Sequence, residues 1–140
     1  MPMLNLNQEI ILSELSKIFF RPSELQCKCG CGSILFDSSF LTALHDACFH
    51  YGKKFNFTSC ARCETHNAKV GGVPTSGHLS GGKHFCRAID IYFSSVEDLY
   101  AILSATMQAK FNFIIVYRSL NFVHCELKSV DFRPRFFIVN

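Results

Sequence analysis

The sequence predicts an α+β fold, a mostly antiparallel sheet with helices packed on one side. Three observations predict it. Two stretches carry apolar residues at helical spacing behind a capping residue, two neighbouring runs alternate across a four-residue turn, and a further alternating run lies between the helices. The 140 residues suit one domain, residues 25–140, behind an N-terminal helical segment at 1–24.

Within that first segment Ile10, Ile11, Leu15, Ile18 and Phe19 make a helical stripe over about 7–20, which Arg21-Pro22-Ser23 stops. CKCGCGS at 27–33 is a tight, Gly-punctuated loop. Asp37 can cap the next helix, since its carboxylate accepts first-turn N–H groups. Phe40, Leu41, Leu44, Cys48 and Tyr51 then share a face, and Gly52 is the stop. His45 and His50 fall off that stripe and read as surface residues.

Residues 54–59 alternate around Phe55 and Phe57 as a strand. CARCETHN reads as a turn, and a loop with five glycines and a proline runs on to His84. In the strand at 87–93, Ala88, Asp90 and Tyr92 share one face and Ile89 and Ile91 the other. Ser94-Ser95-Val96-Glu97 has the spacing of a capping box, with Ser94 as cap, and the helix it starts should bury Val96, Leu99, Leu103 and Met107. Strands at 112–117 and 122–127 form a hairpin over Arg118–Asn121, and 136–139 is a last strand.

Composition narrows the function. Apolar residues at 49% and charged residues at 18% mark an ordinary globular chain. A net charge of +3 is too weak and scattered for a nucleic-acid groove. The longest largely apolar stretch, 111–117, is strand-sized, so no membrane span is expected. The N-terminus lacks a basic leader and a small-residue cleavage site, so synthesis in a cytoplasm is expected. A monomer is expected.

The eight cysteines read as thiols or metal ligands in a reducing compartment, and after export they could pair. Cys60 and Cys63 form C-x-x-C, yet without the strand–helix setting of a thioredoxin motif. Cys27, Cys29 and Cys31 read as buried or partly exposed structural thiols, with a second metal site as the alternative, although C-x-C-x-C lacks the knuckle spacing of a structural zinc site.

The chemistry gathers at 58–90, where Arg62, His66, His78, His84 and Asp90 occupy one Gly-rich stretch. An acid inside an apolar strand needs a partner, either an arginine or a metal. A zinc hydrolase needs three protein ligands with one open position, a base and a positive group for the developing oxyanion. His78, Asp90 and His124 meet the first need. Glu126, on the same strand face as His124, can serve as base, and Arg62 can supply the bidentate cation.

TSCARCETHNAKVGGVPTSGHL, RAIDIYF and NFVHCEL resemble the signature blocks of the zinc D-alanyl-D-alanine carboxypeptidase family. The family includes phage-encoded murein endopeptidases, and the likeness, which covers roughly 25–127, is to its small viral and bacterial branch. The resemblance implies a hedgehog-like metallopeptidase fold, a zinc-peptidase-like domain at 25–140, and Zn2+ held by His78, Asp90 and His124. It implies that Arg62 binds substrate, and that the partners are peptidoglycan stem peptides containing D-amino acids. The place of action would be the cell wall or periplasm of a bacterial host.

Two departures stand out. The family's histidine and aspartate lie seven apart, whereas His78 and Asp90 lie twelve apart, so an insertion within SGGKHF is expected and His84 competes with His78. Asn121 stands where many relatives carry the catalytic acid, and an amide is no base. The alternatives are therefore a catalytically degenerate relative that binds wall fragments, or a cysteine-rich structural or redox protein.

Overall fold

The computed structural model describes residues 21–129 and 131–140, and the helix expected over 7–20 lies outside the described residues, together with most of the 1–24 segment. Helix α1, Ser38–Tyr51, forms as its caps dictate. The Asp37 carboxylate accepts the Phe40 N–H at 3.1 Å, and Gly52, at φ 76°, donates to the Cys48 carbonyl at 3.0 Å. It buries Phe40, Leu41, Leu44, Ala47 and Cys48.

Strand β1, Phe57–Ser59, is shorter than expected, although Phe55 before it is buried. A short helix α2, Glu64–Lys69, replaces the turn expected in CARCETHN. Its cap is Cys63, whose sulfur accepts the His66 N–H at 3.3 Å, and a thiol is an unusual helix-start signal. Strand β2 spans Ala88–Tyr92.

Helix α3, Val96–Gln108, starts one residue later than expected. Ser95, not Ser94, accepts the Asp98 N–H at 3.0 Å, and the Asp98 carboxylate reaches back to the Ser94 N–H at 3.0 Å. Its buried face is Ile102, Ala105 and Thr106, with Leu99 and Leu103 on the margin. Val96 and Met107 are exposed, so the expected stripe was rotated away from the real one.

Strands β3, Phe113–Tyr117, and β4, Phe122–Glu126, form the expected hairpin, and β5, Arg135–Val139, follows. Asn121 closes the hairpin turn at φ 54°, a left-handed conformation that asparagine tolerates better than most residues. The sheet order is β1-β2-β4-β3-β5, antiparallel throughout except for β3 and β5. Ile89, Ile91, Val123, Cys125, Ile114 and Val116 share one core with α1 and α3, so the helices cover one sheet face.

The other face carries the polar residues. Register sets Asp90 directly across from His124, and Ala88 across from Glu126. Directly opposed residues on an antiparallel pair place their side chains side by side. β2 and β4 are inner strands, so the polar cluster lies on the sheet face that the helices leave open.

Candidate metal centre

Two strands and one loop build the centre. Asp90 comes from β2 and His124 from β4, and His78 arrives from the Gly-rich loop. The loop is held by a parallel bridge between Arg62 and Leu79, in which the Arg62 N–H donates to the His78 carbonyl at 2.7 Å and the Ser80 N–H to the Arg62 carbonyl at 2.8 Å.

The inner atoms converge. His124 Nδ1 lies 2.9 Å and His78 Nε2 3.3 Å from Asp90 Oδ1, and the two ring nitrogens are 3.3 Å apart. Ligands around a tetrahedral zinc at 2.0–2.2 Å sit about 3.4 Å from one another. The donor set therefore fits a single borderline cation. The outer nitrogens are also engaged, since His78 Nδ1 meets the Cys60 carbonyl at 2.6 Å and His124 Nε2 meets Glu126 Oε1 at 3.1 Å. A backbone carbonyl or carboxylate on the far nitrogen fixes the tautomer that leaves a lone pair pointing inward.

Electrostatics favour a positive charge at this point. Burial would raise the Asp90 carboxyl, but hydrogen bonds to His124 and His78 outweigh it and hold the group well below the carboxylate range. Burial also disfavours a charged His124, yet hydrogen bonds to Asp90 and Glu126 lift it to about 9. Glu126, pushed up by burial, is pulled down to about 2 by His124 and Lys128.

Arg62 stands at the rim of this cluster. Its Nη2 lies 3.6 Å from Asp90 Oδ2, Nε donates to Ser59 Oγ at 3.0 Å, and Nη1 to Asn67 Oδ1 at 3.3 Å. Thus the aspartate faces both an arginine and the two imidazoles. Glu126 is committed on both oxygens, to His124 on one side and to Arg87 (3.3 Å) and Lys128 (2.8 Å) on the other.

His84 lies apart from the centre. It sits on a turn closed by reciprocal Gly81–His84 backbone bonds of 3.0 Å, with left-handed glycines at 81 and 82, and it meets Glu64 at 3.0 Å. Residues 81–84 loop out as this turn, so a twelve-residue spacing still brings His78 to Asp90. The C-x-x-C also divides. Cys60 packs beside Cys86 in the core, while Cys63 faces Cys27 and Cys29.

Several supporting residues escaped the sequence reading. Asn67 is buried, orients Arg62, and donates to the Val73 carbonyl at 2.9 Å. Gly72 and Gly77 make room for this shell. A Cβ at Gly72 would lie 2.1 Å from Asn67 Oδ1, and one at Gly77 would lie 2.5 Å from Glu126 Cδ. The His-Asn pair and the Gly-Gly of the block were visible signals, but nothing in the spacing said what they touch. A surface cleft of about 1040 Å³ meets the centre only through Arg87 and Lys128, and none of the three converging residues lines it.

The sequence profile described as Peptidase M15 matches residues 18–126. No curated protein and no solved structure matches the chain. The matched span covers well over half of the chain, from before the cysteine loop to Glu126, and takes in Arg62, His78, Asp90, His124 and Glu126, from which we conclude that this chain belongs to the peptidase M15 family.

Proposed function

We propose that this chain is a zinc-dependent peptidase that hydrolyses peptide bonds in the D-amino-acid-containing stems of peptidoglycan, as a carboxypeptidase or an endopeptidase. The observation that carries the reading is the convergence of His78 Nε2, Asp90 Oδ1 and His124 Nδ1 within 3.3 Å, with both outer imidazole nitrogens tied. Zinc held there would supply Lewis-acid activation of water and of a substrate carbonyl. Arg62, fixed by Ser59 and Asn67, offers its fork to a substrate carboxylate or to the developing oxyanion.

The sequence pointed to Glu126 as the base, and its surroundings support a different assignment. Glu126 has one oxygen held by His124 and the other by Arg87 and Lys128, which leaves neither free to take a proton from a water on the metal. We assign Glu126 to positioning His124. Glu126→Gln separates the roles, because loss of positioning lowers zinc affinity on the order of 10–100-fold and excess zinc restores turnover. Loss of a base would instead leave affinity intact and turnover unrecoverable.

A second reading has a specific observation behind it. Among the described residues the carboxylates of the centre are Asp90 and Glu126, both committed, and Asn121 is used by the hairpin turn. A chain that binds wall peptides through its metal without cutting them fits that pattern. Hydrolysis of defined muropeptides, with added zinc and with chelator, decides between the two. Zinc-dependent turnover supports the peptidase, and zinc binding without turnover supports the binder. His78→Ala should abolish zinc binding at this centre and His84→Ala should not.

A further inference from the structure

We propose that Cys27, Cys29, Cys31 and Cys63 form a second, purely structural zinc site, separate from the His–Asp centre. The Sγ atoms of all four lie within 4.8 Å of one another. Three of the separations are nearly equal, with Cys27–Cys29 at 3.4 Å, Cys29–Cys63 at 3.7 Å and Cys27–Cys63 at 3.8 Å. Tetrahedral zinc with Zn–S bonds near 2.3 Å holds its sulfurs about 3.8 Å apart. Disulfides do not produce this pattern, since one bonded pair would close to about 2.05 Å and leave the others behind. All four are free thiols.

The local backbone is shaped for the purpose. Gly30 at φ 89° and Gly32 at φ 77° turn the chain after each of the last two loop cysteines, so residues two apart face one point. The fourth ligand comes from a distant stretch, Cys63, so the run C-x-C-x-C alone did not announce the site. Three backbone N–H groups point at these sulfurs, from Cys63 to Cys27 (3.4 Å), from His66 to Cys63 (3.3 Å) and from Ser33 to Cys31 (3.4 Å). Donors of this kind stabilise thiolate charge around a metal. Four thiolates leave no open position, which marks a structural site rather than a catalytic one.

The position gives the site a purpose. Cys63 follows Arg62 directly and caps α2, the helix that carries Asn67, so the metal would clamp the 27–33 loop onto the residues that aim Arg62. The same loop is sewn to the His78 block by Ser33 Oγ, which donates to the Ser80 carbonyl at 3.0 Å.

The test is cobalt titration of the reduced full-length chain carrying His78→Ala and His124→Ala, which removes the His–Asp centre. One equivalent of cobalt should bind with the intense thiolate-to-cobalt charge-transfer absorption of a tetrathiolate site. Adding Cys29→Ser and Cys31→Ser, both at exposed positions, should abolish that absorption. On the otherwise native chain the same two serines should lower bound zinc from two equivalents to one. Absence of the charge-transfer band in the reduced chain would overturn the proposal, as would disulfides among the four cysteines in protein purified without reductant. The band reports on thiolates alone, so its presence or absence is independent of whether the His–Asp centre hydrolyses anything.

Discussion

At the residue scale the centre depends on two glycines as much as on its histidines. Gly77 gives Glu126 the space to reach His124, and any side chain there would collide with a carboxylate that is already bound on both oxygens. Gly77→Ala is therefore expected to push Glu126 off the outer nitrogen of His124. Zinc affinity should fall on the order of 10–100-fold, as it does when an outer-shell partner is lost. Competition with a chromophoric chelator measures this, and an affinity equal to the parent's would show that Glu126 does not hold the ring. Asp90 and His124 stood out in the sequence as candidates because a carboxylate and an imidazole inside apolar strands demand partners. Asn67, Ser59 and Gly77 did not, because ordinary polar and small residues acquire a role only from what the fold puts against them.

At the element scale α3 shows how local pattern can misplace a helix while finding it. Val96, Leu99, Leu103 and Met107 make a fair stripe, but Ile102 and Ala105, on an adjacent face, are the ones that pack into the core, and the neighbouring elements decided which face turned inward. The cap shifted by one because Asp98, not Glu97, closes the box, and Asp98 also accepts the Tyr51 hydroxyl from α1 and faces Lys53 at 3.9 Å. This carboxylate thus joins the two helices. Burial would raise its pKa, but the bonds to Tyr51 and Ser94 and the charge of Lys53 outweigh it and hold the group below its ordinary 3.8. A depressed carboxyl adds stability that is present above the ordinary value and lost as pH falls through the lower, folded value. Asp98→Asn should therefore cost about 1 kcal/mol at neutral pH, the worth of a hydrogen bond, and the gap from the parent should close in acid. Urea unfolding at pH 7 and at a series of pH values falling below 3.8 checks it, and a gap that never narrows as the pH falls would mean the carboxylate's charge is irrelevant. Helix α2 was missed for a related reason, since six residues behind a cysteine cap offer no period to read.

At the scale of the whole molecule, the centre is where chain-distant segments are brought together, and sequence spacing is a poor guide to that. Asp90 and His124 meet through the β2–β4 register, and His78 is delivered by the Arg62–Leu79 bridge, so neither depends on how many residues lie between Leu79 and Ala88. The Ser80 hydroxyl and the Cys86 N–H both donate to the Leu35 carbonyl, at 3.0 and 2.9 Å, so the two ends of the inserted turn are already close. Deleting residues 81–85 then removes a surface turn whose own bonds are mainly internal, together with the exposed His84–Glu64 contact. Closing so short a gap carries little loop-entropy cost. The shortened chain, with His78 and Asp90 seven residues apart, should keep zinc affinity within a few-fold of the parent. Metal content and chelator competition on the deleted chain measure this. Loss of zinc from a chain that still folds would mean that the turn, and not the bridge beside it, sets the position of His78.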